Sequence, residues 1–325
     1  MKFFLTTLLL SSTSTFSAPA QIKVIYGEDN RVDPIDSVSQ KYVTLSKSTA
    51  AMIKSKDLKE LNASQVIIGG KTLEDSGVCS TERFSSQPAM ANCSGFLVGN
   101  DKLVTAGHCI RSMSDCSSNS WVFDYKVDHV QDSKVVVDKS NVYKCKSIIS
   151  RDLDRVTQSD YALIELEKVV VDRKPLKFRS EGQPSVGDAL VVIGHPSGLP
   201  TKIADGASVR SVGDVFLLAN LDTYGGNSGS AVFNANTGLV EGILVRGETD
   251  YVWSNGCRVS NTLSNSSGDG EAVTLIKMVE KLEVVPEEDL DDGSDDSDVS
   301  EPSTPVEEPK QETAWERFLR WLRGA

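Results

Sequence analysis

The chain has 325 residues, 39% hydrophobic and 25% charged, enough for one large β-type domain or two smaller ones around a substantial core. Its formal net charge is −12, and the sequence shows no clustered basic face of the kind a nucleic-acid footprint needs. Residues 286–312 hold twelve acidic residues and one lysine, a net of −11, so the remainder is close to neutral and the acidity belongs to one segment.

In chain order, residues 1–20 read as a secretory signal peptide. Lys2 supplies the charged start, residues 3–10 a short apolar region, and Ala18-Pro19-Ala20 a small-x-small cleavage site. The apolar run is too short to span a bilayer. The mature protein is therefore expected to be exported (extracellular or periplasmic), soluble and monomeric. In an oxidising compartment the six cysteines favour disulfides over free thiols. Neither a Cys-x-x-Cys nor a Cys-x-x-His pair occurs, and the histidines are only three, His108, His129 and His195, so no metal and no cofactor is expected.

Residues 21–92 are an N-terminal segment, read either as a pro-segment or as part of a first barrel with a strand near 48–53. From residue 93 to about 245, short β-branched runs (95–99, 121–125, 161–166, 189–193 and 215–219) alternate with Gly, Asn, Asp and Pro. Short strands at that spacing argue for an all-β sandwich or barrel. A C-terminal helix is expected over 271–282, where Leu275, Met278, Val279 and Leu282 share one helical face. The folded domain then spans 93–283. Residues 284–312, acidic and rich in Ser and Pro, are expected to be a disordered linker because they cannot bury enough apolar surface to offset their ordering entropy. Residues 313–325 are expected to form an amphipathic basic helix, with Trp315, Phe318, Leu319 and Leu322 on one face and Arg317, Arg320 and Arg323 around the rest. Such a helix suits a membrane surface or a protein partner, against the alternative of docking on its own domain.

Three motifs carry chemistry. Gly226-Asn227-Ser228-Gly229 is a bend with a hydroxyl at its tip, and by itself an ordinary polar turn would produce it too. Thr105-Ala106-Gly107-His108-Cys109 places a histidine at the end of an apolar strand. Asp160-Tyr161-Ala162-Leu163 places an aspartate at the head of another. Serine attack on an amide needs a neutral imidazole to take its proton and a carboxylate to hold that imidazole in the right tautomer. His108, Asp160 and Ser228 meet that need. Asp152 and Asp154 are nearby rivals, but only Asp160 heads the apolar strand. His195, in a Pro/Gly turn, reads as structural, and His129 has no supporting context.

These motifs resemble the trypsin/chymotrypsin superfamily, in particular its bacterial secreted branch that includes the glutamyl endopeptidases. The resemblance covers roughly 93–247 and includes Gly225-Gly226-Asn227-Ser228-Gly229-Ser230. It implies two antiparallel Greek-key six-stranded β-barrels with the triad between them and a Cys93–Cys109 disulfide at the histidine loop. It also implies an oxyanion hole from the amides of Gly226 and Ser228, and a peptide or protein substrate. The remaining cysteines allow three pairings. Cys116–Cys145 with Cys79–Cys257 is preferred, because 116 and 145 flank one stretch of the first barrel.

By the same resemblance Asp222, Thr223, Leu244 and Gly247 line the pocket for the residue before the scissile bond. An aspartate at its base points to Arg or Lys. Leu244 stands where glutamyl endopeptidases have a histidine, which speaks against glutamate. Val66-Ile67-Ile68-Gly69-Gly70 resembles the new N-terminus of an activated trypsin. The carboxylate that would receive that terminus is replaced by Asn227, so the likeness is read as accidental. The expected function is a secreted serine endopeptidase preferring Arg or Lys. The alternatives are a narrow processing protease or esterase, and a catalytically inactive protease fold used for binding.

Overall fold

The computed structural model describes residues 25–128, 133–247 and 249–283. The chain divides into Met1–Val285 and Pro286–Ala325, and all described residues belong to the first unit. The segments read as signal peptide, acidic linker and amphipathic helix lie outside the described residues, as does His129.

Twelve antiparallel strands make two barrels, numbered here in chain order. The first barrel holds β1 (Thr49–Lys54), β2 (Cys93–Gly99), β3 (Lys102–Thr105), β4 (Asn119–Phe123), β5 (Val142–Leu153) and β6 (Asp160–Leu166). They close in the order β5-β6-β3-β2-β1-β4, with β4 pairing back onto β5. The second holds β7 (Ala189–Gly194), β8 (Lys202–Val212), β9 (Phe216–Ala219), β10 (Ala231–Asn234), β11 (Val240–Arg246) and β12 (Glu271–Leu275). Their order is β7-β10-β11-β12-β9-β8, and β8 pairs with β7 to close the ring. Closure leaves neither sheet a free edge among these strands.

The N-terminal segment is part of this fold. β1 sits inside the first barrel between β2 and β4, so the folded unit begins upstream of residue 93. Arg31–Val32 adds to β8, and Gln65–Gly69, the stretch resembling an activated N-terminus, is an internal strand paired with Lys134–Asp138. Three disulfides staple the unit: Cys93–Cys109, Cys116–Cys145 and Cys79–Cys257.

The helix expected over 271–282 is not formed. Glu271–Leu275 is a strand, followed by a single 3-10 turn at Ile276–Met278. All five strand residues are buried, with Val273 and Leu275 in the second barrel's apolar interior, Ala272 in the larger apolar cluster, and β9 and β11 pairing on either side. A strand covered on both faces shows no polar alternation, and its apolar run matches a helical pattern equally well. The unpaired edges of β9 and β11 decide the matter, since only a strand satisfies both rows of backbone groups.

The interior of the second barrel is apolar, with Leu190, Val192, Leu217, Leu221, Val232, Leu244 and Val273 in one cluster. A larger cluster, including Phe96, Trp121, Leu163, Ile193, Phe233 and Ile243, contains residues of both barrels and locks them together.

Candidate active site

β3 and β6 are neighbours, with Thr105 opposite Ala162, so the end of one strand and the start of the other lie together. His108 follows β3 and Asp160 opens β6. Asp160 Oδ2 lies 2.7 Å from His108 Nδ1, and Oδ1 accepts the His108 backbone N–H at 3.0 Å. The aspartate side chain is 8% exposed and the imidazole 27%. An ionised carboxylate only accepts, so Nδ1 carries the proton and the lone pair of Nε2 is left for other chemistry. The loop is further held by Arg151 Nε donating to Gly107 O at 2.8 Å and Arg111 Nε donating to His108 O at 3.1 Å. Cys93 and Cys109 come close to the His108 ring, but their sulfurs are joined in a disulfide and offer a metal no thiolate.

Ser228 comes from the second barrel, in the turn 226–230 that leads into β10. Asn227 N donates to Tyr224 O at 2.9 Å and Ser230 N to Asn227 O at 2.8 Å. The turn is fastened to the first barrel. Ser94 N donates to Ser228 O at 2.8 Å, and Cys109 Sγ lies 3.7 Å from the same oxygen. A Cβ on Gly229 would stand 2.0 Å from Ser94 O, a contact only glycine permits. The serine turn therefore rests on the start of β2 and on Cys109, the residue next to His108.

Two backbone amides in this turn point away from the protein's own acceptors. Gly225 O accepts Ser197 N–H at 2.6 Å, and Asn227 O accepts Ser230 N–H. In a trans peptide the N–H points opposite to the carbonyl. The Gly226 and Ser228 amides are thereby turned outward, and neither has an acceptor among the described residues. Gly226 sits at φ +95°, where a Cβ would lie 2.6 Å from His195 O. Two outward amides beside a hydroxyl can receive an oxyanion.

The expected pocket is rearranged. Asp222 is not an open carboxylate at the pocket base. Its Oδ1 accepts Tyr26 N–H at 2.8 Å and its Oδ2 accepts Asn30 N–H at 3.0 Å, so both oxygens are spent on the N-terminal segment. Burial pushes its pKa up to about 6 against those two amide bonds. Leu244 packs in the second barrel's apolar interior beside Leu221 and Val273. Thr223 and Gly247 do converge, and on a residue the sequence reading placed elsewhere. Thr223 Oγ1 donates to Glu271 Oε2 at 2.6 Å, and that oxygen lies 1.6 Å from where a Cβ on Gly247 would be. Glu271 is 2% exposed at the head of β12. The sequence reading put it at the start of the expected helix and gave it no role. Asp250, whose Oδ2 accepts Gly225 N–H at 2.8 Å, was likewise hidden in a loop without a motif. His195 is fully buried between hydroxyls, and burial drives its pKa down to about 3.

Two closed antiparallel barrels contribute a His–Asp pair from one and a serine turn from the other. Residues 93–243, which contain all three motifs, match the family model described as the trypsin-like peptidase domain. The matched stretch is a little under half of the chain. Among solved structures it is similar to a Glu endopeptidase in complex with MPD, at 16% identity over 78% of this chain and 93% of that one, with a TM-score of 0.47. It is also similar to the VesB protease of Vibrio cholerae, at 14% identity over 76% and 64% of the two chains, with a TM-score of 0.45. A third similar structure is the inactive form of the Rv3671c protease, at 14% identity over 73% and 87%, with a TM-score of 0.41.

Proposed function

We propose that this protein is an exported serine endopeptidase that prefers Arg or Lys before the scissile bond. The observation that carries the mechanism is the 2.7 Å contact between His108 Nδ1 and Asp160 Oδ2, with the Ser228 turn fastened beside it. Ser228 Oγ attacks the peptide carbonyl while His108 Nε2 takes its proton. Asp160 keeps the imidazole in the tautomer that leaves Nε2 basic, and stabilises the imidazolium that forms. Negative charge grows on the carbonyl oxygen, and the Gly226 and Ser228 amides receive it. Each such donor is worth about 3 kcal/mol of transition-state stabilisation. His108 then protonates the leaving amine, an acyl-enzyme remains on Ser228, and water activated by His108 hydrolyses it.

The preference for a basic residue rests on Glu271 rather than on Asp222. Its carboxylate stands between Thr223 and Gly247, two of the residues assigned to the pocket, and a cationic side chain would complement it there. Three disulfides and the short apolar leader support export.

The test is a fluorogenic peptide panel with Arg, Lys, Glu, Leu or Phe before the cleaved bond, run beside Ser228→Ala and with organophosphonate labelling. Cleavage and labelling that vanish together in Ser228→Ala are expected, with Arg and Lys peptides cleaved fastest. A disulfide-intact sample that neither cleaves nor labels refutes the enzymatic reading. Serine-dependent cleavage with no basic preference refutes the role given to Glu271.

A further inference from the structure

Ser94, the second residue of β2, is fully buried and touches the serine turn twice. Its N–H donates to Ser228 O at 2.8 Å and its Oγ donates to Gly226 O at 2.9 Å. One residue of the first barrel thus holds the carbonyls of both residues whose amides are assigned to the oxyanion. The same Oγ accepts the His195 backbone N–H at 3.0 Å and lies 3.1 Å from His195 Nδ1.

Proton counting fixes the roles. A hydroxyl has one proton, and the Gly226 carbonyl has none to give. Ser94 spends its proton on that carbonyl, so His195 Nδ1 brings its own and Nε2 is the acceptor. Thr201 Oγ1 lies 3.2 Å from Nε2 and 3.0 Å from Tyr125 O. That carbonyl accepts both the Thr201 N–H at 2.8 Å and the Thr201 hydroxyl, one on each lone pair. The ring stacks on Tyr125 with centroids 5.9 Å apart, and burial keeps it neutral. The turn that carries His195 also supplies Ser197 N–H to Gly225 O. Both peptide groups flanking Gly226 are therefore held from this one cluster.

We propose, on the proteolytic reading above, that His195 and Ser94 are positioning residues for the oxyanion amide of Gly226. The imidazole holds the Ser94 hydroxyl on the Gly226 carbonyl. That bond keeps a glycine at φ +95° from rotating its N–H out of the cleft. A glycine has no Cβ to favour one backbone conformation, so without the anchor the outward amide is one state among several. Neither residue touches the reacting atoms. Their contribution is preorganisation, which acts on the transition state more than on substrate binding.

The experiment compares Ser94→Ala, His195→Phe and His195→Asn with wild type. It measures kcat and KM on the best panel peptide, the inhibition constant of a matching peptide aldehyde, and the unfolding midpoint. Ser94→Ala and His195→Phe are expected to lower kcat roughly 10- to 100-fold with KM within about threefold, below the full loss of one oxyanion donor. Aldehyde affinity should fall by the same factor, because its adduct carries the tetrahedral oxygen. His195→Asn keeps a donor near the Nδ1 position and should recover most of the loss.

A kcat within about twofold of wild type in folded Ser94→Ala overturns the proposal, as does a fall in kcat with aldehyde affinity unchanged. If His195→Phe does not fold, Ser94→Ala decides alone, since it removes one oxygen and nothing else. A wild type that neither cleaves nor labels refutes proteolysis itself, whereas an active wild type with unaltered variants refutes only the relay.

Discussion

Replacing Glu271 by Gln isolates the charge proposed for the pocket. The two side chains have nearly the same volume, and the Gln carbonyl can still accept the Thr223 hydroxyl that now lies 2.6 Å from Glu271 Oε2. The substitution should leave β12 in place, since its pairing with β9 and β11 is made by backbone groups. Two unit charges about 4 Å apart at an effective dielectric of about 20 attract by about 4 kcal/mol. Desolvating the substrate cation and the carboxylate offsets part of that, leaving about 2–3 kcal/mol. At about 1.4 kcal/mol per decade, kcat/KM for an Arg peptide should drop roughly 30- to 150-fold. For a Leu peptide it should hardly change. The assay is the ratio of the two kcat/KM values in wild type and Glu271→Gln, with Ser228→Ala as the blank. An unchanged ratio in a folded, active Glu271→Gln protein refutes the placement of the specificity charge.

Asp160→Asn should lower kcat by about 10⁴, because an amide can donate to Nδ1 and hold the imidazole in the wrong tautomer. Steady-state kinetics and an unchanged unfolding midpoint would check this. Asp222→Asn is expected to leave the Arg-to-Leu ratio intact and to cost about 1–3 kcal/mol of stability in chemical unfolding, because one of the two N–H groups from Tyr26 and Asn30 then faces an NH₂. A changed ratio with unchanged stability would return Asp222 to the pocket. For His195, a pKa near 3 in the folded state against the ordinary 6.5 means that the unfolded chain binds the proton more tightly between those values. Its contribution to stability is complete above pH 6.5 and is lost as pH falls towards 3. At pH 4 that loss is on the order of 3 kcal/mol, and His195→Phe should lack it in urea unfolding at pH 7 and pH 4. Asp222, with its raised pKa of about 6, works in the opposite sense, contributing stability below about pH 3.8 that is lost as pH rises to 6. Only the difference between wild type and variant is therefore diagnostic.

The triad candidates were legible in the chain because each sits at a strand end, where local sequence carries both the strand and its stop. The apolar run before His108, the one after Asp160 and the glycines around Ser228 are short-range signals, and chemistry needs those residue types in any fold. The β-rich class was legible for the same reason, since short β-branched runs between turn residues describe strands whatever their partners. Long-range pairing was not legible. Glu271–Leu275 is a strand because β9 and β11 flank it, and no feature within those five residues separates a strand buried on both faces from a helix. The same missing information hid the contacts of Glu271 and those of Asp222. A carboxylate's role depends on what reaches it, and here Thr223 and Gly247 reach one while the backbone of Tyr26 and Asn30 claims the other. Residue type and spacing along the chain determined the available chemistry. Which partners those groups take was decided by contacts across about 50 to 200 residues of sequence, and those exist only once the barrels close.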